Sequence, residues 1–359
     1  MSFTYNADSL LTGVQLSSGI TESSTYNGAG QLTGQSLGSG GSATIGSYSY
    51  GYDSAGLTNG ITVAVGLASP TTLNLTHDQA GHLSGASGSG ATQSWAYDGN
   101  NNLTSAVSGT TTITYTDATG PQTENELLSL AASGAGAAAN YGYDQNGNTE
   151  MEMSRPSSAG TLQSGALLSY DLEGRLVSTT SIAGTVVSQS YNAQGLRASY
   201  SVTPAGATVP LTNEQFLYSG GQLTQMAMTL SGTPAYTDTY VYTQSGAPLE
   251  LLRTQAGTGT TSRYWYLLDG RGSVTALVDQ SGNVVDRYAY DLWGVPTLVS
   301  ESVPQQLRYD GYWFDNVRHE VAFLSVMTRK EAITQHTPAG ALPGQASGVI
   351  RWSEAPGTM

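Results

Sequence analysis

A tyrosine-marked turn recurs along this chain and constrains its fold more than any other feature of the sequence. In the stretch YDLEGRLVST, Tyr170 precedes a tetrapeptide that runs from Asp171 to Gly174, and alternating apolar and polar residues follow. Asp suits the first position of a type I turn, because its carboxylate accepts hydrogen bonds from the backbone just ahead. Gly suits the last position, where the chain often takes a positive φ and re-enters a strand through a bulge. The stretch therefore predicts a hairpin corner with a tyrosine on the adjoining strand.

Copies of this corner extend over most of the chain, and 13 of them begin between residues 5 and 290, at a mean interval of about 24 residues. Periods of about 20–50 residues are typical of repeat architectures. A unit of this length holds two strands of about 6–8 residues and two turns. Besides Tyr170, the copies begin at Tyr5, Tyr26, Tyr52, His77, Tyr97, Tyr115, Tyr143, Tyr191, Tyr218, Tyr242, Tyr266 and Tyr290. The residues predicted to form the structural repeat motif are Tyr52, Asp53, Gly56, Tyr97, Asp98, Tyr143, Asp144, Gly147, Tyr170, Asp171, Gly174, Tyr191, Gly195, Tyr290, Asp291 and Gly294.

The composition favours strands over helices. Only 11% of the residues are charged, the chain holds 45 Gly and 22 Tyr, and Lys330 is its single lysine. Helix-rich proteins use far more Glu, Lys, Ala and Leu. We therefore predict an all-β protein, a repetitive array of antiparallel β-hairpins that forms one curled sheet.

Charge and cysteine content exclude several classes of partner and site. The formal net charge is −14, and residues 1–250 hold 16 acids against 3 Arg, so no basic stripe for nucleic acid or an acidic membrane surface is expected. With no cysteines, disulfides and thiolate metal sites are excluded. No apolar run is long enough to span a membrane, and the start of the chain does not resemble a signal peptide.

Three candidate sites have structural alternatives. The oxygens from Asp144 to Glu150 alternate as a calcium ion requires, but an Asn-Gly hairpin turn uses the same residues. The segment Gly34–Gly38 matches the hydrolase nucleophile elbow, which requires a helix that the following Ser and Gly do not favour. His77 and His82 could bind a metal, or His77 simply replaces a repeat tyrosine. We predict no catalytic, cofactor or metal site, and the remaining histidines are His319 and His336.

The repeated phrases resemble the YD repeats of the Rhs and teneurin-like proteins. The resemblance covers about residues 5–316 and is strongest over Tyr264 to Gly294, YWYLLDGRGSVTALVDQSGNVVDRYAYDLWG, within a core-like segment at 262–316. It implies a long sheet that spirals into a hollow shell, the YD shell or β-cocoon, in a secreted or cell-surface protein. The bacterial members enclose a C-terminal toxin, and the teneurin members serve cell adhesion and are associated with carbohydrate.

The end of the chain departs from that family. RYDGYWFDN, Arg308 to Asn316, is close to the family pattern, but the Asp-Pro pairs expected after it are missing, so self-cleavage is not expected. We expect repeats over 5–294, a shell region over 1–316 and a divergent tail over 317–359 that is poorly ordered from Pro338 onward. A truncated or frame-disrupted gene would explain this end. Thirteen units favour a partial, open shell or trough with exposed strand edges.

Two functions follow from the resemblance, and a third rests on fold analogy. The first is a non-catalytic fragment of an encapsulating shell that sequesters a C-terminal cargo or toxin. The alternative is a carbohydrate-binding adhesion module whose tyrosines stack on sugars. A β-helix glycosidase would need two carboxylates that face each other across a groove, whereas most acids here fall in turns. The densest aromatic region is the best candidate for a partner or for locking the end of the shell. It comprises Tyr264, Trp265, Tyr266, Tyr288, Tyr290, Trp293, Tyr312, Trp313 and Phe314, with Arg263, Arg271, Arg287 and Arg308 nearby.

Overall fold

The computed structural model describes residues 1–16, 19–39, 43–65, 69–88, 90, 92–118, 126–133, 138–155, 164–292, 294, 296–315 and 320–322. These residues form strands and turns, and no α-helix occurs among them. The strands are β1 (Ser2–Tyr5), β2 (Leu11–Gln15), β3 (Ile20–Tyr26), β4 (Leu32–Ser39), β5 (Ala43–Tyr52), β6 (Thr58–Val65), β7 (Thr71–His77), β8 (Leu83–Gly88), β9 (Gln93–Tyr97), β10 (Leu103–Ser108), β11 (Thr111–Asp117), β12 (Leu127–Ala132), β13 (Ala138–Tyr143), β14 (Thr149–Arg155), β15 (Ser164–Tyr170), β16 (Leu176–Ser181), β17 (Val186–Tyr191), β18 (Arg197–Thr203), β19 (Thr212–Ser219), β20 (Gln222–Leu230), β21 (Thr233–Tyr242), β22 (Pro248–Gln255), β23 (Thr261–Leu268), β24 (Val274–Asp279), β25 (Val284–Tyr290), β26 (Pro296–Glu301), β27 (Trp313–Asp315) and β28 (Glu320–Ala322). One 3₁₀ turn spans Tyr309–Gly311.

Strands β1 to β26 belong to one sheet, and each strand pairs antiparallel with the next along the chain. This arrangement confirms the predicted hairpin array. The ladder shifts register beside most repeat tyrosines, for example between Ser169 and Tyr170, where β15 meets β16. At the copies predicted to begin at Tyr115 and Tyr266 the shift instead follows Thr116 and Leu267, so those two tyrosines do not occupy the corner position. A bulge of this kind is expected where a type I turn returns to a strand through a glycine. The expected tail from residue 317 lies outside the described residues except for 320–322, which form β28.

The two faces of this sheet differ in chemistry. In an antiparallel sheet, directly opposed residues share a face, so the register follows one face from strand to strand. Tyr50 opposes Ile61, and Ile61 opposes Leu73, on a face that we call the inner face. Strand β7 shows the contrast, since Leu75 is buried while Thr72, Asn74 and Thr76 are exposed on the other, outer face.

The sheet curls far enough for its two ends to overlap. Strands β5 and β24 are 19 strands apart, which would separate them by about 90 Å in a flat sheet. Nevertheless, Tyr48 of β5 packs in one apolar cluster with Trp265 and Ala276. Tyr48 lies on the inner face, whereas Trp265 and Ala276 lie on the outer face of β23 and β24. The N-terminal strands therefore cover the C-terminal strands from outside. Along this overlap the wall is two layers thick, and the expected opening of the shell at its ends stays a prediction.

Candidate functional site

The repeated corner is a compact hydrogen-bonded unit. At the β15–β16 corner, the amide of Gly174 donates to the carbonyl of Asp171, and the amide of Asp171 donates to the carbonyl of Arg175. The Asp171 carboxylate accepts from the amides of Glu173 and Arg175 at 3.1 and 2.9 Å. Gly174 has a φ of +74°, which explains the need for glycine there. Although slight burial opposes the change, the amide and guanidinium of Arg175 lower the pKa of Asp171 below its ordinary value.

The other predicted motif residues occupy equivalent positions. The carboxylates of Asp53, Asp98 and Asp144 each accept two amides in the same way. Gly56, Gly147, Gly195 and Gly294 all have φ between +75° and +86°. The corner at Asp291 is looser, since the Gly294 amide is 3.2 Å from the Asp291 carbonyl.

Eight of the repeat tyrosines stitch their own corner to the preceding hairpin, whereas the buried hydroxyl of Tyr266 has no hydrogen-bond partner among the described residues. The hydroxyl of Tyr191 donates to the carbonyl of Leu176 at 2.8 Å, and that of Tyr52 donates to the carbonyl of Leu32 at 2.7 Å. These carbonyls belong to the strand that follows the previous corner. The same bond joins Tyr26 to Leu11, Tyr97 to Leu83, Tyr143 to Leu127, Tyr170 to Thr149, Tyr218 to Arg197 and Tyr290 to Val274. All eight tyrosines are half-buried.

The residues of the three candidate sites, the calcium-like turn, the elbow-like segment and the histidine pair, form parts of the turns and strands of the sheet. Both carboxylate oxygens of Asp144 accept hydrogen bonds within the turn, from Asn146 and Asn148. The elbow-like segment Gly34–Gly38 lies inside β4, so the strand–turn–helix geometry of a nucleophile elbow is not formed. His82 bonds Asp78 through Nδ1 at 2.9 Å, and His77 ends β7 opposite Leu83, in the place of a repeat tyrosine. His319 and His336 lie outside the described residues.

The overlap between the ends of the sheet, which we call the seam, is mainly apolar. Its main cluster joins inner-face residues of the N-terminal strands to outer-face residues of β23 and β24, comprising Leu16, Ile20, Leu37, Ile45, Tyr48, Trp265, Leu267, Ala276 and Val278. A second cluster places Leu292, at the β25–β26 corner, against inner-face residues Ile61, Leu75, Leu83, Ala86 and Trp95. Burial of apolar surface on this scale makes the seam a stabilising interface.

Two long-range polar contacts fix the position of the seam. The amide of Gly270 donates to the hydroxyl of Tyr50 at 2.9 Å, and Arg287 Nη1 donates to the carbonyl of Ile45 at 3.4 Å. A Cβ added to Gly270 would lie 2.4 Å from Leu32 and 2.8 Å from the Tyr50 ring. Glycine at this corner position therefore permits the two layers to approach.

Beyond β26 the chain turns onto the inner face of the sheet. We call residues 302–314 the inward segment. Its Val303, Leu307 and Trp313 pack in one cluster with inner-face side chains of β17 to β25. Trp313 is 2% exposed and meets the ring of Phe216 edge-on, with centroids 5.0 Å apart. The inner face of the C-terminal half is thus filled by the chain's own continuation.

Buried charges on the inner face hold the inward segment. Asp286 Oδ1 accepts from the amides of Ser302 and Val303 at 2.8 and 2.9 Å. Arg253 donates to the carbonyl of Pro304 at 2.8 Å and makes two bonds of 2.7 Å to Asp238. Burial raises the pKa of Asp286, against the effect of these amides. Burial also raises the pKa of Asp238, and the hydrogen bonds and charge of the Arg253 guanidinium offset only part of this increase.

The 3₁₀ turn of the inward segment docks on two corners. The amide of Asp310 donates to Ser273 Oγ at 3.1 Å, and the Tyr309 ring meets Tyr290 edge-on at 5.7 Å. The Arg271 guanidinium lies 5.1 Å from the Tyr309 ring centroid. Although Asp310 is still exposed to solvent on one side, desolvation by the packed neighbours, and secondarily the charge of Asp269, raises its pKa to about 6. We call this contact the latch.

The predicted aromatic region is divided between these features. Trp265 faces the seam, whereas Tyr266 and Tyr288 join the cluster that packs on the inward segment. Tyr264 and Tyr290 pack at the margin of that cluster, and Trp313 lies within it. Trp293 lies outside the described residues. The four predicted arginines also lie in different places. Arg287 contacts the seam, and Arg271 contacts the latch. Arg263 lies 3.7 Å from Glu250, and Arg308 stacks over the ring of Tyr288.

Sequence reasoning missed the buried charges of the inner face. Asp238 alternates with Tyr236 and Tyr240 along β21 and is 0% exposed. The available signal was this alternation, which places Asp238 among the inward residues of a half-buried strand. A charge at such a position requires a partner, and the partner, Arg253, follows on the next strand.

No helix within the described ranges is long and apolar enough to cross a membrane.

A family model and several known proteins are similar to this chain. A family model described as teneurin YD-shell matches residues 1–315. The tRNA3(Ser)-specific nuclease WapA of Bacillus spizizenii is 32% identical over 103 residues, which are 28% of this chain and 4% of that protein. The crystal structure of TcdB2-TccC3-Cdc42 is similar over 94% of this chain and 21% of that chain, at 14% identity and a TM-score of 0.44. The crystal structure of TcdB2-TccC3 is similar over 89% of this chain and 20% of that chain, at 13% identity and a TM-score of 0.43. This chain therefore spans a small part of the proteins that it matches.

Proposed function

Because this chain belongs to the teneurin YD-shell family, we propose that it is a wall segment of an encapsulating shell. In this proposal residues 1–316 form the shell region and residues 317–359 a separate tail. The shell holds a polypeptide cargo or toxin on its inner side in a secreted or cell-surface protein, and the wall has no catalysis of its own. The observation that carries the proposal is that the inner face already holds a polypeptide, the inward segment.

The chemistry of the corners supports a structural role for the repeat motif. The aspartates accept amides of their own turns, and the tyrosine hydroxyls donate to the neighbouring hairpin. Each of the eight corners with this bond is therefore joined to the hairpin before it, which supports a role of the motif in building a continuous wall. Stacking on sugars would instead require exposed ring faces, and the bonded repeat tyrosines are half-buried. The half-buried rings therefore favour the structural role over carbohydrate binding.

Protease protection tests this function. A flexible peptide with one protease site is fused after Met359, and the same peptide is inserted after Leu172, which is fully exposed at a corner. Enclosure predicts that the C-terminal site is cleaved about tenfold more slowly than the corner site. Equal cleavage rates in two folded proteins, verified by circular dichroism, would reject the proposal.

A further inference from the structure

The chain leaves the wall at a defined point. The last ladder pair of β25 and β26 joins Asp286 to Glu301. The next two amides, of Ser302 and Val303, turn toward the same Asp286 and share one of its carboxylate oxygens. Another hairpin would have placed these residues in a turn at the edge of the sheet. Instead both amides bond an inner-face side chain, although the Ser302 amide also lies 3.2 Å from the Val285 carbonyl, and the segment then runs across the inner face.

The side chains that hold the chain where it leaves the wall bond to main-chain groups of the inward segment. Asp286 accepts two successive amides, and Arg253 donates to the carbonyl of Pro304, the next residue. Main-chain groups are present in almost every sequence, so such contacts do not depend on the side chains of the bound segment. Charge-assisted hydrogen bonds of this kind are about twice as strong as neutral ones.

Contacts outside the inward segment also restrain the two binding groups. Asp238 holds the Arg253 guanidinium through two bonds of 2.7 Å, and the Tyr236 ring lies 3.9 Å from its central carbon. The hydroxyl of Tyr288 lies 3.1 Å from the second oxygen of Asp286 and 2.7 Å from Glu301 Oε1, and its one proton is shared between these carboxylates. Asp286 and Arg253 are 1% and 6% exposed. A site with restrained side chains loses little conformational entropy when it binds.

We propose that Asp286 and Arg253 form a main-chain clamp, a binding site for extended polypeptide that directs the chain after β26 to the inner side of the wall. Its ligand is a segment that presents two successive N–H groups and then a carbonyl, which residues 302–304 do here. The clamp adds to the proposed function a site that directs the chain inward. It rests on the proposed function only in assuming that the polypeptide beyond the inward segment is enclosed. Asp286 and Arg253 are positioning residues that determine which side of the wall receives the chain.

A single introduced cysteine tests the clamp, because the chain has none of its own. Gln306, 8% exposed in the inward segment, is replaced by Cys, and the rate of labelling by a water-soluble maleimide is measured in the full chain. Asp286→Ala leaves the Val303 amide without its acceptor and the Ser302 amide with only the Val285 carbonyl at 3.2 Å, so labelling should accelerate about tenfold. Ser302→Ala keeps the main-chain contacts and should change the rate less than about twofold.

Asp279→Ala is the matched control. Asp279 also accepts two amides, those of Ser281 and Asn283, but at a corner rather than from the inward segment. The clamp predicts that this variant labels at the parent rate, whereas equal acceleration by both substitutions would indicate general loosening and overturn it. Unchanged labelling in Asp286→Ala would overturn it as well.

Arg253→Lys provides a second test if Asp286→Ala does not fold. Lysine retains a positive charge beside Asp238 but lacks the fork that also reaches the Pro304 carbonyl, so labelling should accelerate several-fold. The parent rate in Arg253→Lys would count against the clamp. Loss of protease protection for a C-terminal passenger, with the introduced cysteine still slow to label, would reject the proposed function and leave the clamp intact.

Discussion

The hydroxyl of Tyr50 accepts a hydrogen bond from the amide of Gly270 at 2.9 Å, across 220 residues of sequence. This bond joins the inner face of β5 to the corner between β23 and β24. Gly270 follows Asp269 in its corner, the position that Leu172 occupies, fully exposed, in the corner at Asp171. The same local turn therefore lies free at one place in the sheet and forms part of the seam at another.

Gly270→Ala should destabilise the seam. The added methyl group would approach Leu32 and the Tyr50 ring at distances well inside van der Waals contact. Overpacking of this kind costs about 1–3 kcal/mol, which urea unfolding can measure. Gly99→Ala is the matched control, since Gly99 also follows the corner aspartate and an added Cβ there meets nothing within 4 Å. Equal effects of the two substitutions would show that the turn, rather than the seam, determines the cost.

Tyr191→Phe should destabilise the wall by about 0.5–1.5 kcal/mol, the net contribution of a typical hydrogen bond. The substitution keeps the ring and removes the donor to the Leu176 carbonyl. Tyr5→Phe is the control, because Tyr5 is 60% exposed on the edge strand β1. Urea unfolding of the two variants should separate them. A loss at Tyr5 as large as that at Tyr191 would contradict the stitching role.

Ser9→Gly should stabilise the chain. Ser9 occupies the glycine position of the first corner at a φ of +63°, a conformation that costs most non-glycine residues about 1–2 kcal/mol. A gain of about 1 kcal/mol is expected in urea unfolding, with a smaller gain for Asn101→Gly because Asn tolerates this conformation better. Ala55→Gly, at a corner position without positive φ, should instead cost about 0.5–1 kcal/mol. Destabilisation by Ser9→Gly would disprove the assignment.

The sequence predicted the features that the chain determines locally. Asp171 and Gly174 form their turn from interactions within five residues, so the corners, the strands between them and the hairpin order could be inferred. The seam could not, because the contact of Tyr50 with Gly270 depends on curvature summed over 19 strands. The clamp was missed for a related reason. Asp286 and Arg253 meet through the inward segment, and an isolated charge in a strand does not reveal its partner.

The latch should make stability depend on pH in the direction opposite to that of an ordinary salt-bridged carboxylate. Asp310 has a pKa of about 6 in the folded chain, raised by burial and by Asp269, against about 3.8 in a solvated chain. Between these values the native state binds more protons, so its stability falls as pH rises from about 4 to about 6 and is then constant. The facing groups are Asp269, Arg271 and Tyr309.

Asp310→Asn tests this dependence by removing the titration and keeping the shape. Because the Asp310 side chain is exposed, solvent screens its interactions, so lowering the pH from 7 to 5 should stabilise the parent chain by a few tenths to about 1 kcal/mol relative to Asp310→Asn in urea unfolding. Asp171 provides the contrast, since its pKa is lowered and its contribution is lost only as the pH falls below about 4. Asp171→Asn should therefore keep the parent response between pH 7 and pH 5. If Asp310→Asn follows the parent chain over this range, the pKa of Asp310 is not raised in the latch.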